Sequence, residues 1–153
     1  MYSIQNCTKY KSVMNTNDEI REKLLRFGIM PSLQRVAIME YLMGHLTHPT
    51  AEVIFKDLCP AIPSLSKTTV YNTLKLFEEK GVIHAIKIDE KNVKYDAEIS
   101  RHAHFKCKKC NKIIDIPLAD VMVYEIEDSE EYVVTDLQVY YKGYCKDCRN
   151  VTN

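Results

Sequence analysis

The chain has 153 residues, 46% hydrophobic and 27% charged, with 21 basic residues balanced by 21 acidic ones. That length holds one domain or two small ones, the composition is that of a globular protein, and no apolar run reaches the ~18 residues of a membrane helix. Zero formal net charge argues against purely electrostatic capture of nucleic acid. It leaves a localised DNA-facing surface open, since residues 1–97 carry 13 basic to 11 acidic residues and the remainder 8 to 10.

The first residues lack the continuous apolar core of a secretion signal, so a cytoplasmic location is expected. In that reducing compartment the six cysteines are expected to act as thiolate ligands or free thiols. After an extension over 1–15, Thr16-Asn17-Asp18-Glu19 has the capping-box pattern. It predicts a helix that buries Ile20, Leu24 and Phe27 and stops at Gly28. Ser32 caps a second helix with Val36, Met39 and Met43 inward and Gly44 at its end. Pro49 suits the first turn of a third helix burying Val53, Ile54 and Leu58. Pro60-Ala61-Ile62-Pro63 must connect.

Ser66 caps a fourth helix to about Lys80, closed by Gly81, with Val70, Leu74 and Phe77 inward. Its outer face then presents Lys67, Thr68, Tyr71, Asn72 and Lys75. Asparagine pairs with adenine, and tyrosine packs on thymine methyl groups or bonds phosphate. Residues 82–88 read as a strand, and 89–92 turn it back into Val93-Lys94-Tyr95. Helices followed by a short hairpin are the order of a winged helix-turn-helix, over 16–95, with a boundary near 95–101. Beyond it, strands over 103–108 and 112–116 flank a Cys-Lys-Lys-Cys turn. A short helix is predicted over 118–128, and Thr135, Leu137, Val139 and Tyr141 alternate at strand period.

Cys107, Cys110, Cys145 and Cys148 form two CxxC pairs. A two-residue gap lets both sulfurs of a turn face one ion, and two such turns complete a tetrahedral, closed, structural zinc site. The competing readings are a redox CxxC or buried unligated cysteines. Cys7 and Cys59 have no such partner and receive no role. Of the five histidines, His102 and His104 fall on the same side of a strand because side chains alternate. Asp96 precedes them and Asp115 follows Cys110. Nitrogen and carboxylate donors without thiolate suit iron(II), manganese(II) or zinc(II). His45 and His84 read as structural or surface residues.

Gln34-Arg35, His48-Pro49-Thr50-Ala51, Ser66-x-x-Thr69-Val70-Tyr71-Asn72-Thr73-Leu74, Tyr95-Asp96, His102-x-His104-Phe105-x-Cys107-x-x-Cys110, Ile114-Asp115 and Gly143-x-Cys145-x-x-Cys148 succeed one another in the chain. This order, from about residue 17 to 149, resembles the ferric-uptake-regulator family. The resemblance implies an α+β protein with a winged-helix DNA-binding domain (16–95), a hinge (96–101) and a zinc-stapled dimerisation and metal-sensing domain (102–153). It implies a regulatory iron(II) or manganese(II) site of His48, Asp96, His102, His104 and Asp115 at the domain junction, a homodimer, and a palindromic double-stranded operator. Peroxide-sensing relatives have aspartate at the last of these positions and iron-sensing ones typically glutamate, so Asp115 points to peroxide. The histidines that such relatives oxidise correspond to His48 and His102.

The sequence departs from the family pattern in three places. Asn72 stands where many relatives have arginine, Met30 where they often have a basic residue for the minor groove, and Leu137 where some have a histidine of an additional metal site. The expected function is therefore a metal-dependent repressor sensing peroxide and not an enzyme. The alternative is an iron- or zinc-responsive repressor of metal uptake. A metal-dependent hydrolase lacks a general base and nucleophile motif here, and a zinc-ribbon interaction module leaves His48, Asp96 and the Ser66–Leu74 helix unexplained.

Overall fold

A computed structural model describes residues 16–88, 92–117, 128–135 and 137–149. Within them lie α1 (Thr16–Arg26), α2 (Leu33–Gly44), α3 (Ala51–Leu58), α4 (Lys67–Glu79), β1 (His84–Ile86), β2 (Lys94–Asp96), β3 (His102–Cys107), β4 (Ile113–Pro117) and β5 (Val139–Gly143).

The predicted helix punctuation is local chemistry, and it forms as local chemistry. Ser32 and Ser66 each accept a backbone N–H three residues on, from Arg35 at 3.3 Å and Thr69 at 3.0 Å. Gly28 and Gly81 adopt φ of +70° and +69°, the left-handed conformation that favours glycine. Each closes its helix with a pair of bonds: Gly28 N to Leu25 O and Ile29 N to Leu24 O, then Gly81 N to Glu78 O and Val82 N to Phe77 O. The residues after these glycines, Ile29 and Val82, are buried with Leu24 and Phe77 in the helical core.

Two residues expected inward by periodicity are exposed. Val53 is one, because α3 turns Ala51 and Ile54 to the core and Val53 lies about 100° before Ile54 around the helix. Met43 is the other, at the rim of the α2 stripe, whose buried members are Val36, Ile38, Met39 and Leu42. The α3 cap is Thr50, which accepts the Val53 N–H, so Pro49 precedes the cap and does not occupy the first turn.

With the cap at Thr50, Pro49 and Thr50 are free to meet the wing. The Pro49 carbonyl accepts the Tyr95 N–H at 3.0 Å, and Thr50 bridges Lys94. These bonds lay the entrance to α3 against β2, while His48 takes a φ of +52° that turns it under the strand's end.

β1 and β2 pair antiparallel with His84 opposite Asp96, and β1 is shorter than the predicted 82–88 because Val82 and Ile83 belong to the helical core. The second sheet has the order β4-β3-β5, with β3–β4 antiparallel and β3–β5 parallel. The strand expected from Thr135 begins only at Val139, where pairing with Ala103 of β3 begins. Gly143 lies against the Phe105 ring so closely that a Cβ would stand 3.1 Å from it. The helix expected over 118–128 falls at 118–127 outside the described residues.

Candidate metal centres

The β3–β4 turn presents Cys107 and Cys110, and the parallel pairing of Cys107 with Gly143 delivers Cys145 and Cys148 to the same place. The four sulfurs lie within 4.8 Å of one another. Cys110 and Cys145 are 3.7 Å apart, far beyond a disulfide bond and close to the ~3.8 Å edge of a four-sulfur tetrahedron with ~2.3 Å metal–sulfur bonds. The N–H groups of Cys110 and Cys145 directed at Sγ pull the Cys107 thiol down to about 6, whereas burial and the neighbouring thiols push Cys148 up to about 12. The Cys107 thiolate is thus favoured, and an ion must displace the proton of Cys148. The quartet fits a closed tetrahedral ion site.

The second cluster is assembled from three separated parts of the chain. His48 comes from the turn before α3, Asp96 ends β2, His102 and His104 open β3, and Asp115 is paired with His104 from β4. His48 Nε2 lies 3.0 Å from Asp115 Oδ1 and 3.5 Å from Asp96 Oδ2. Asp96 Oδ2 is also 3.0 Å from His102 Nε2 and 3.4 Å from His104 Nε2. Asp115 Oδ1 is 3.8 and 3.7 Å from the same two nitrogens. Donor atoms sharing one ion at ~2.1 Å stand roughly 3.0–3.5 Å apart; His48, Asp96, His104 and Asp115 have donor atoms all within 4.8 Å of one another, and His102 approaches this set through Asp96 and His104.

Two features fit groups that converge on one ion. His48 is buried, yet neither ring nitrogen makes a hydrogen bond among the described residues, although Asp115 Oδ1 lies 3.0 Å from Nε2. His102 and His104 face each other Nε2 to Nε2 at 2.9 Å, an approach of two electron pairs that needs a proton or cation between them. The His102 Nδ1–H donates to the Ser100 carbonyl at 2.8 Å, leaving Nε2 as the donor atom toward the cluster. The residues fit an oxygen- and nitrogen-ligated divalent ion.

Without an ion, protons compensate the buried Asp96 carboxylate and the exposed Asp115 carboxylate beside it. Burial opposes charge on His48, but Asp115 and Asp96 outweigh it and raise its pKa to about 9. Burial likewise opposes the Asp96 carboxylate, and His102, His104 and His48 overcome this and hold it well below the usual carboxylate range. Asp96 also raises His102. The folded His48 binds its proton more tightly than the unfolded one, so its stabilising contribution is complete below pH ~6.5 and is lost as pH rises through about 9. An ion must expel that proton. Metal-free thermal stability should therefore fall between pH 6.5 and 9 while manganese(II) affinity rises, about tenfold per unit for each proton released. Differential scanning and calorimetric titration across that window test this, and a flat affinity profile refutes it.

The helix predicted to face DNA has the expected polarity. Lys67, Thr68, Tyr71, Asn72 and Lys75 are all exposed on α4, whereas Val70, Leu74 and Phe77 are buried; Lys67 is exposed as the helix's first residue. The sequence reading missed the neighbours of that face: the Tyr71 hydroxyl donates to Glu52 on α3, and Lys67 lies over the Phe55 ring, 5.9 Å from its centre. Near the ligand cluster it missed Glu98, Ser100 and Tyr140, whose ring stacks 5.9 Å from His104. Only the β5 register brings Tyr140 there. Met30, at the position where relatives often have a basic residue, is 71% exposed. His45 has a structural role, stacked on Tyr41 with ring centres 3.9 Å apart.

Four helices, a two-stranded wing and a second sheet that carries a four-cysteine cluster define an α+β protein of the metal-responsive regulator class. Residues 27–142 match the Ferric uptake regulator family, and the chain belongs to it. It is 30% identical over 145 residues to the peroxide-responsive repressor PerR of Staphylococcus epidermidis, covering 94% of this chain and 97% of that one. Among solved structures, the peroxide stress regulator of Campylobacter jejuni superposes with a TM-score of 0.63 at 26% identity, over 88% of this chain and all (100%) of that one. The ferric uptake regulator of Francisella tularensis with iron gives 0.61 at 26% identity, over 80% and 96%.

Proposed function

We propose that this protein is a metal-dependent, DNA-binding transcriptional repressor that senses hydrogen peroxide in the cytoplasm. The observation that carries the reading is the convergence of His48 and Asp96, from the helical part and its wing, with His102, His104 and Asp115 of the second sheet. These five are the regulatory ligands, and Cys107, Cys110, Cys145 and Cys148 hold a structural zinc. Peroxide-responsive relatives that span nearly the whole chain support the same reading.

The ligands draw the α3 entrance and the end of β2 onto β3 and β4. In a homodimer, that constraint sets the separation of the two α4 helices, and so their match to the half-sites of a palindromic operator. Lys67, Thr68, Tyr71, Asn72 and Lys75 make the DNA contacts. A metal at ~100 times its dissociation constant for the closed form alone favours that form by about 2.7 kcal/mol, roughly a hundredfold in population. Iron(II), when bound, supplies the electrons that activate peroxide beside the histidines. The net change is insertion of one peroxide oxygen into a ring C–H of His48 or His102, the other oxygen leaving as water. An oxidised ring loses its donor geometry, and the two sides of the cluster separate. A cavity of about 290 Å³, bordered by Ser100, His102 and His104, gives a small oxidant room to approach.

Mass spectrometry of the iron(II)-loaded protein after peroxide should find one added oxygen on His48 or His102, with loss of operator binding, while the manganese(II)-loaded protein stays unmodified. Metal-dependent operator binding that survives peroxide without histidine oxidation identifies instead an iron- or zinc-responsive repressor.

A further inference from the structure

The link between β2 and β3 carries a chain of hydrogen bonds that runs from Asp96 to His102. Asp96 Oδ1 accepts the Glu98 N–H at 2.8 Å, and Glu98 Oε1 accepts the Ser100 N–H at 2.9 Å. The Ser100 carbonyl accepts the His102 Nδ1–H at 2.8 Å, and His102 Nε2 returns to within 3.0 Å of Asp96 Oδ2. A carbonyl can only accept, so this bond requires the proton on Nδ1 and leaves the neutral ring's electron pair on Nε2.

We propose that Glu98 is a positioning residue of the regulatory site: by anchoring Ser100 it fixes the Nδ1–H tautomer of His102 and keeps the Nε2 electron pair turned toward the ion. This deepens the proposed sensor function and rests on it. Glu98 is not among the cluster's ligands and is itself exposed. Its carboxylate acts through the peptide it holds. With the Ser100 N–H tied back, the backbone at Ser100 has one orientation and its carbonyl one bearing. Without that tie the carbonyl turns to water, and His102 populates both tautomers, one of which presents N–H where a ligand electron pair is required. Asp96 is held by the same hydrogen bonds, one oxygen committed to the link and the other to the histidines. Glu98 also acts electrostatically on Lys23 of α1, opposing the fall in pKa that burial imposes on that lysine. A charge role toward α1 is therefore the rival explanation for any effect of Glu98.

Two substitutions separate these roles, because glutamine keeps the accepting oxygen and removes the charge. In the metal-free protein at alkaline pH, ¹⁵N spectra of the parent and of Glu98→Gln should show a larger share of Nδ1–H than Glu98→Ala, in which Asp96, 3.0 Å from Nε2, draws the proton to that nitrogen. Manganese(II) affinity, measured by calorimetry on the full chain, should drop about 10- to 100-fold in Glu98→Ala and within about threefold in Glu98→Gln. Thermal unfolding confirms that both variants fold. The proposal is overturned if Glu98→Ala keeps the parental tautomer, if its tautomer changes with no loss of manganese affinity, or if Glu98→Gln binds as weakly as Glu98→Ala. Should the parent itself bind no manganese at this cluster, the sensor reading fails, and the ion-facing part of the proposal with it. The tautomer comparison alone still decides whether Glu98 orients His102.

Discussion

Serine in place of Cys107 should remove the bound zinc and unfold the second sheet at temperatures where the parent remains folded. Among the described residues, the buried cluster of that sheet consists of Cys107, Cys145 and Cys148, with Phe105 packed against them, and Ala103 and Ile113 add little beside it. Three thiols and one ring bury little apolar surface, so the ion must contribute much of what a larger hydrophobic core contributes elsewhere. Cys107 is the least replaceable of the four. It is fully buried, its Sγ accepts the Cys145 N–H at 3.4 Å, and its backbone N–H bonds the Lys112 carbonyl to shape the turn. Structural zinc contributes on the order of 10–16 kcal/mol in small cysteine-ligated folds, and three ligands retain only part of that. The expected result is less than stoichiometric zinc by metal analysis and a loss of several kcal/mol of stability in denaturant titration. Full-strength folding of the parent after the metal is stripped and all four thiols are alkylated would sink the structural role.

Replacing His48 with alanine should abolish the gain in operator affinity that manganese(II) confers, while leaving zinc content and fold intact. His48 and Asp96 are the cluster members contributed by the helical part and wing, and removal of the imidazole leaves Asp96 alone to hold that side. Because coupling is reciprocal, operator DNA tightens manganese binding in the parent by the factor by which manganese tightens DNA binding. The variant should lose both together, from as much as about a hundredfold to near unity. Fluorescence anisotropy with a labelled operator, titrated with and without manganese, reads one side of the cycle, and manganese titration with and without DNA the other. Retention of the full enhancement in His48→Ala means that the ion does not bridge the two sides, and the proposed switch is then wrong.

Ligand identity and ligand assembly are legible to different degrees. The two CxxC turns and His102-x-His104 declare themselves because spacing along a turn or strand sets side-chain direction. Asp96 and Asp115 draw notice only as carboxylates near the histidines and Cys110, His48 carries no signal at all, and the three are joined into one ligand set only through the family resemblance. Their proximity depends on the Tyr95–Pro49 bond, the His48 backbone and the β3–β4 register. Glu98 and Ser100 have no signal at all, since a glutamate two residues from a serine is ordinary until a nearby histidine needs its proton placed.

By itself the sequence determined the features whose physics is complete within a few residues: the Ser32 and Ser66 caps, the Gly28 and Gly81 helix ends, the outward face of α4, and the pairing of cysteines within each turn. Tertiary structure decided which faces were buried at Val53 and Met43, where β5 began, and that β5 ran parallel to β3 so that the two cysteine pairs met. The division has one cause. A cap or a glycine turn closes hydrogen bonds with its immediate neighbours. Burial, register and the gathering of candidate ligands depend instead on partners distant in the chain, as His48 is from Asp115 and Cys110 is from Cys145.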